Sequence, residues 1–158
     1  MLTKIKLPLS LRRCLWGILS ILLVWYLIFG HKYQFIYNKG NSMEPTFENK
    51  EWIITQKKSS LAKNWSPNRF DVVIIEENKN ENLCKRVIGI QGDKIKINKG
   101  IIYLNGKKIS DSYGNAELSD TLEEIVVPEN SIWLIGDNRQ KSWYGILPID
   151  KIKGLVIF

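Results

Sequence analysis

The feature that most constrains this chain is a run without charge. Cys14 to Gly30 reads CLWGILSILLVWYLIFG, seventeen residues with no acidic or basic side chain. In hydrocarbon a single segment can satisfy its own backbone N–H and C=O groups only as a helix. At about 1.5 Å per residue the run extends roughly 25 Å, at the short end for a membrane-spanning helix. Trp16 stands at one end, and Trp25 and Tyr26 near the other, where amphipathic rings favour the membrane–water boundary. No small-x-small cleavage site follows, because His31, Lys32, Tyr33 and Gln34 come next. The run therefore reads as an uncleaved signal anchor rather than a removable secretory signal. Lys4, Lys6, Arg12 and Arg13 precede it, and the first acid is Glu44. That bias sets residues 1–13 in the cytoplasm, residues 14–30 across the membrane and residues 31–158 on the outer face.

Four of the seven excess positive charges thus belong to the N-terminus. From His31 to Phe158 there are 19 basic and 16 acidic side chains, with no basic stripe and no helix-turn-helix pattern. Nucleic-acid binding is not expected. Some 130 residues suffice for one packed core. Trp52–Thr55, Asp71–Ile75, Val87–Ile90, Ile95–Ile97, Ile101–Leu104 and Ile132–Ile135 are short apolar or β-branched runs, which read as strands. Asn105-Gly106 marks a tight hairpin turn, since both residues tolerate positive φ, and Asn98-Lys99-Gly100 marks another. Lys79–Asn82 and Asp111–Glu124 are polar and read as loops, and Glu76–Asn82 as a solvated low-complexity stretch. No long amphipathic helix is visible after residue 33. The expected fold is mostly β behind one N-terminal transmembrane helix. Cys14 lies in the apolar run and Cys84 in an expected buried strand, so neither a disulfide nor a metal site is expected. The single histidine, His31, borders the membrane segment, which argues against a Ser-His-Asp triad.

Three constellations could carry chemistry. In Gly40-Asn41-Ser42-Met43-Glu44-Pro45-Thr46, a glycine before and a proline after the serine can hold a hydroxyl on a sharp exposed turn. Serines beside glycine and proline are more often plain turn residues. In Leu83-Cys84-Lys85-Arg86-Val87-Ile88-Gly89, alternate side chains of a strand face opposite ways, so Lys85 shares a face with Val87 and Cys84 with Ile88. With apolar residues on both faces, at least one of the adjacent cations sits in apolar surroundings. A lysine at a strand edge can instead reach solvent along its stem. If it is buried, desolvation disfavours the ammonium, by up to ~3–5 pKa units at full burial, and a neutral amine can take a proton from a serine. In Gly136-Asp137-Asn138-Arg139-Gln140-Lys141-Ser142, Gly-Asp-Asn after an apolar run is a strand-end turn from which Ser142 could reach across a cleft. The plain alternative is a tight turn with a solvated Arg139.

In order and combination these blocks resemble the bacterial type I signal peptidases, or leader peptidases, which are membrane-anchored Ser-Lys proteases with a β-rich catalytic domain. The resemblance runs from the anchor through Gly40–Thr46, Arg69-Phe70-Asp71-Val72-Val73, Lys85–Gly89 with Gly92-Asp93, to Gly136–Arg139 with Ser142. It implies Ser42 as nucleophile and Lys85 as general base, with Ser142 orienting the lysine. Met43 and Pro45 would shape the nucleophile turn. The Ser42 N–H would stabilise the oxyanion, with the Gly136, Asp137, Asn138 and Arg139 turn in support. Some members add a serine hydroxyl two residues before the nucleophile. That position is Gly40 here, which leaves the second oxyanion donor open. The family commonly continues Ser-x-Asp-Ser-Arg after the last block, whereas Ser142 is followed by Trp143-Tyr144-Gly145-Ile146. The resemblance implies removal of signal peptides from secreted preproteins at the outer face of a bacterial plasma membrane, with no metal or organic cofactor. Preprotein signal peptides and the lipid bilayer are the implied partners, and the secretion translocon a further neighbour. A specialised relative of the kind encoded with conjugative transfer systems is one alternative. A catalytically silent binding module of the same fold is another. A self-cleaving repressor-type Ser-Lys protease is disfavoured by the apolar anchor.

Overall fold

The computed structural model describes residues 8–78, 81–110, 112–114 and 118–157. Helix α1, Leu9–Trp25, continues as a π-helical turn over Tyr26–Gly30. Together they form a 22-residue helix of mean hydropathy 1.8, long and apolar enough to cross a membrane and with no protein packed over it. The helix begins before the charge-free run and takes in Arg12 and Arg13. Those long side chains can extend their charged heads towards water while their stems lie on apolar surface. The chain then turns straight into the sheet: Lys57 Nζ donates to the Gly30 carbonyl at 2.8 Å, and the Lys57 N–H to the Lys32 carbonyl at 2.9 Å.

Eleven strands follow. They are β1 (Tyr33–Tyr37), β2 (Trp52–Lys57), β3 (Val72–Asn78), β4 (Glu81–Ile90), β5 (Lys94–Asn98) and β6 (Ile101–Leu104), then β7 (Lys107–Lys108), β8 (Leu122–Val126), β9 (Ser131–Ile135), β10 (Tyr144–Pro148) and β11 (Ile152–Val156). Seven form an antiparallel sheet in the order β1-β2-β11-β3-β4-β9-β10, and four form a second in the order β7-β6-β5-β8. The six strand runs expected from sequence lie in or overlap β2, β3, β4, β5, β6 and β9. Asn105 and Gly106 turn the chain between β6 and β7 with φ of 52° and 78°, the left-handed geometry such hairpins need.

Some polar stretches are strand rather than loop. The expected loop Lys79–Asn82 shrinks, because β3 runs through Asn78 and β4 starts at Glu81; residues 79–80 lie outside the described residues. The low-complexity Glu76–Asn82 is likewise largely strand. Pairing with β4 and a Glu76–Lys153 ion pair at 2.7 Å hold Glu76 in place. Within Asp111–Glu124, Leu122–Glu124 belongs to β8, while residues 111 and 115–117 are outside the description. Strands β1, β10 and β11 carry weak sequence signals for physical reasons. β1 has apolar side chains on both faces. β10 is an edge strand, which tolerates Gly145 and Pro148. β11 contains Gly154, where a Cβ would press on the Gln56 backbone.

Three buried clusters fill the interior. One joins the two sheets through Ile88, Ile95, Ile97, Trp133 and Ile135, and another lies around Val73, Val87, Leu134 and Ile152. The third gathers Met43, Ile53, Val72, Ile74 and Cys84. It bears most directly on function, because Met43 is next to Ser42 and Cys84 is next to Lys85.

Candidate active site

Ser42 stands on the turn after β1. Its neighbour Met43 is completely buried in the third cluster, which pins the turn from beneath and leaves Ser42 half-buried. Asn41 Nδ2 donates to Glu44 Oε1 at 2.7 Å, and the Phe47 N–H to the Met43 carbonyl at 3.0 Å. Pro45 follows Glu44 through a cis peptide bond. Gly40 lies at the outer end of the turn with φ of 111°, and its N–H donates to Asn49 Oδ1 at 3.0 Å.

Lys85 and Arg86 lie in the middle of β4, and both are buried, 2% and 4% exposed. Alternation turns their side chains to opposite faces. Two adjacent buried cations are costly unless each finds partners. Arg86 makes a bidentate pair with Asp137, Nε to Oδ1 at 2.8 Å and Nη2 to Oδ2 at 2.7 Å. It also donates to the Phe70 carbonyl at 2.9 Å and lies 3.7 Å from the centre of the Tyr113 ring. Thr46 Oγ1 donates to the same carboxylate, so the pair ties the Ser42 turn to β4 and to the turn after β9. On the other face, Lys85 Nζ donates to Ser142 Oγ at 2.9 Å and lies 5.6 Å from the centre of the Trp143 ring.

Gly136 is where these parts meet. A Cβ there would collide with both the Ser42 carbonyl oxygen and the Ser142 side chain. Only glycine permits this approach. The Gly136 N–H donates to Ser142 Oγ at 2.9 Å, and the Asn138 N–H donates to the Ser42 carbonyl at 3.0 Å. Asn138 Nδ2 reaches Glu44 Oε2 at 3.4 Å. Arg139 is buried rather than solvated, 6% exposed, with its Nε donating to the Gly136 carbonyl at 3.1 Å. Ser42, Lys85, Ser142 and the Gly136–Arg139 turn are therefore one neighbourhood, brought together from three separate parts of the chain.

Hydrogen-bond bookkeeping at Ser142 fixes the direction of the contact with the lysine. Its hydroxyl has one proton, given to the Trp143 carbonyl at 2.9 Å. The hydroxyl oxygen accepts from both Gly136 and Lys85. Ser142 thus anchors one N–H of the amine through its hydroxyl oxygen. Cys84, the other potential nucleophile nearby, is pushed up to about 12 by burial, so it stays a thiol at neutral pH.

Beside this cluster runs a groove of about 680 Å³, lined on one side by Gln34–Tyr37 and Lys39 and on the other by Asn82 and Leu83. β1 is an edge strand of the larger sheet. β4 pairs with β9 only from Arg86 onwards. Both segments that lead into Ser42 and Lys85 therefore present unpaired backbone. The sequence reading did not single out Thr46, Arg86, Tyr113 or Trp143 as parts of the site. A signal for Arg86 existed: a second cation beside Lys85 in an apolar strand requires a buried anion, and Asp137 stands two residues beyond the apolar run Ile132–Ile135.

Comparison with known proteins places the chain in a family. The family model described as signal peptidase, peptidase S26, matches residues 11–158. A signal peptidase I of Bacillus caldolyticus is 37% identical over 139 residues, spanning 76% of this chain and 75% of that protein. A signal peptidase IB of Staphylococcus aureus is 32% identical over 146 residues, spanning 76% and 73%. A crystal structure of a signal peptidase I from Enterococcus faecalis superposes with a TM-score of 0.50 at 23% identity, covering 58% of this chain and 97% of that one; it supports the fold. With the family model matching nearly the whole chain and relatives above 30% identity over three quarters of it, the chain belongs to the S26 family of signal peptidases.

Proposed function

We propose that this chain removes N-terminal signal peptides from secreted preproteins, with Ser42 as nucleophile and Lys85 as general base. Membership of the S26 family makes it a serine endopeptidase. The single observation that most supports the residue assignment is the buried Lys85 amine, held by Ser142 across Gly136 from the Ser42 turn. Burial disfavours the ammonium, and an amine that is neutral near pH 7 can act as a base.

In this reading, Ser42 Oγ attacks the scissile carbonyl carbon while its proton passes to Lys85. The Ser42 N–H stabilises the oxyanion. Gly40 supplies no side chain to this task. The lysine then gives its proton to the leaving amine, and an acyl-enzyme remains. Water attacks the ester, Lys85 takes the water's proton, and that proton returns to Ser42 Oγ. The substrate lies extended in the groove and pairs with the free edge of β1 and with β4 around Asn82–Leu83, as peptides do when they add to a sheet edge. Similarity to the family implies shallow pockets accepting small side chains, chiefly alanine, at positions −1 and −3 from the cut. The domain is held at the outer face of a plasma membrane by residues 14–30, with residues 1–13 in the cytoplasm. Tethering raises its local concentration where signal segments emerge, beside the lipid bilayer and the secretion translocon.

The test incubates detergent-solubilised protein with a preprotein and reads N-terminal shortening. Ser42→Ala and Lys85→Ala should each abolish processing while the thermal transition persists. The double variant should be no worse than either single, because the pair acts as a unit. Near-wild-type turnover by either single variant would overturn the assignment.

A further inference from the structure

Lys85 is almost fully buried, yet its amine is bonded to Ser142, which is only half-buried. Something must keep water from the amine on that side. Across β3, Lys85 pairs in register with Val73, which is apolar and buried. The Trp143 indole lies beside the amine, its ring centre 5.6 Å from Nζ. The indole is 41% exposed, so one part of it faces solvent and another faces the lysine. Its position has two anchors. The Trp143 carbonyl accepts the Ser142 hydroxyl proton at 2.9 Å, and the six-membered ring lies along Gly145, where an added Cβ would sit 3.5 Å from it.

We propose that Trp143 is a positioning residue of this active site: its indole is the water-excluding cover that keeps the Lys85 amine desolvated and therefore neutral. This rests on the reading of Lys85 as the base. An indole beside an amine has two opposed effects. Its face attracts an ammonium, which favours the charged form, but 5.6 Å is close to the roughly 6 Å limit of that attraction. Its bulk displaces water, which favours the neutral form. At this separation displacement dominates. Charged or titratable groups on the elements beside the amine include Arg86 and Cys84 on β4, Asp137 and Arg139 on the turn after β9, and Glu44 on the nucleophile turn. Arg86 and Asp137 largely cancel through their bidentate pair. Glu44 is engaged by Asn41 and Asn138, and Cys84 stays uncharged because burial raises it to about 12. None of them replaces the indole as a barrier to water.

The test is the pH dependence of kcat/KM for a signal-peptide substrate in detergent, measured on the full chain and on Trp143→Ala and Trp143→Leu. Activity should rise with pH as the lysine loses its proton. In Trp143→Ala water reaches the amine, and the midpoint of that rise should move to higher pH by about one unit, giving about tenfold lower kcat/KM on the acidic limb. Trp143→Leu keeps an apolar cover without a π face, and its midpoint should stay with the wild type whatever its plateau. An unmoved midpoint in Trp143→Ala with only a lower plateau would overturn the proposal, as would a shift of either variant to lower pH. Should the alanine variant fail to fold, Trp143→Gln takes its place: a polar side chain of similar length admits water and should raise the midpoint, and an unmoved or lowered midpoint would overturn the proposal. Lys85→Ala runs alongside. If it retained activity, the reading of Lys85 as base would fail, separately from the role of Trp143.

Discussion

At the scale of single residues, Ser142 carries the clearest consequence. Its hydroxyl is saturated: two donors point into it and its own proton leaves for the Trp143 carbonyl. Ser142→Ala removes the acceptor from Lys85 and from the Gly136 N–H at once. If Lys85 is the base, as proposed, it then has a less defined orientation at the moment it takes a proton, so kcat should fall more than KM. The expected loss is that of one hydrogen bond to a charged or reacting group, roughly 1.5–3 kcal/mol or about ten- to a hundredfold. Steady-state kinetics on folded variant protein checks it, and an unchanged kcat would remove Ser142 from the site. The proposed Ser42, Lys85 and Ser142 came out of the sequence through the family resemblance, because a hydroxyl between Gly and Pro and a lysine inside an apolar strand are weak local signals by themselves. The Arg86–Asp137 pair, separated by 51 residues, and the indole over Lys85 were not legible there. Long-range pairing leaves no local pattern, and Trp143 in the sequence is one more aromatic residue.

At the scale of elements, Asp93 joins pieces that the strands alone leave separate. It follows β4, accepts from the Ile90 N–H at 2.9 Å, from Arg69 ahead of β3 at 2.8 and 2.6 Å, and from the Asn105 amide of the β6–β7 turn at 2.8 Å. It thereby clamps the smaller sheet to the sheet that holds the site. Burial pushes the Asp93 carboxyl up, but the bonds from Arg69, Ile90 and Asn105 outweigh it and hold the group below the usual carboxylate range. A depressed folded-state value means that its stabilisation is complete above the unfolded pKa of about 3.9 and is lost as pH falls through the lower folded value. Asp93→Asn should therefore lower Tm at neutral pH by a few degrees. The difference from wild type should shrink as pH falls below about 4. Scanning calorimetry against pH measures this, and a gap that widens in acid would refute it. Resemblance flagged Gly92-Asp93 and Arg69 as blocks, and periodicity located six strands. The strands that escaped notice include those whose pattern is broken by Gly154, by Gly145 with Pro148, or by apolar residues on both faces of β1, and the polar β7 and β8. In each case pairing supplies what local propensity does not.

At the scale of the whole molecule, what matters is how close the chemistry lies to the membrane. Only twelve positions separate Gly30 from Ser42, so at most about 3.6 Å per residue, roughly 40 Å, can separate helix end and nucleophile turn. The real separation is further fixed because β1 starts at Tyr33 and Lys57 is bonded to the last turn of the helix. A scissile bond just outside the bilayer is within reach of such a domain only if the domain lies on the side where signal segments emerge. Within fifteen residues of the charge-free run, Lys4, Lys6, Arg12 and Arg13 flank it on one side and Lys32 and Lys39 on the other. An excess of Lys and Arg keeps its side in the cytoplasm, and the proposed outward orientation of residues 31–158 rests on that bias. The bias is four to two, so it should also be reversible: Arg12→Glu with Arg13→Glu should produce a fraction of inverted chains. In the wild type, protease added to intact spheroplasts should digest the β domain and spare a short N-terminal fragment. In the doubly reversed variant a protected domain should appear, digested only after lysis. Full protection of the wild-type domain before lysis would overturn both the orientation and the secretory role that depends on it.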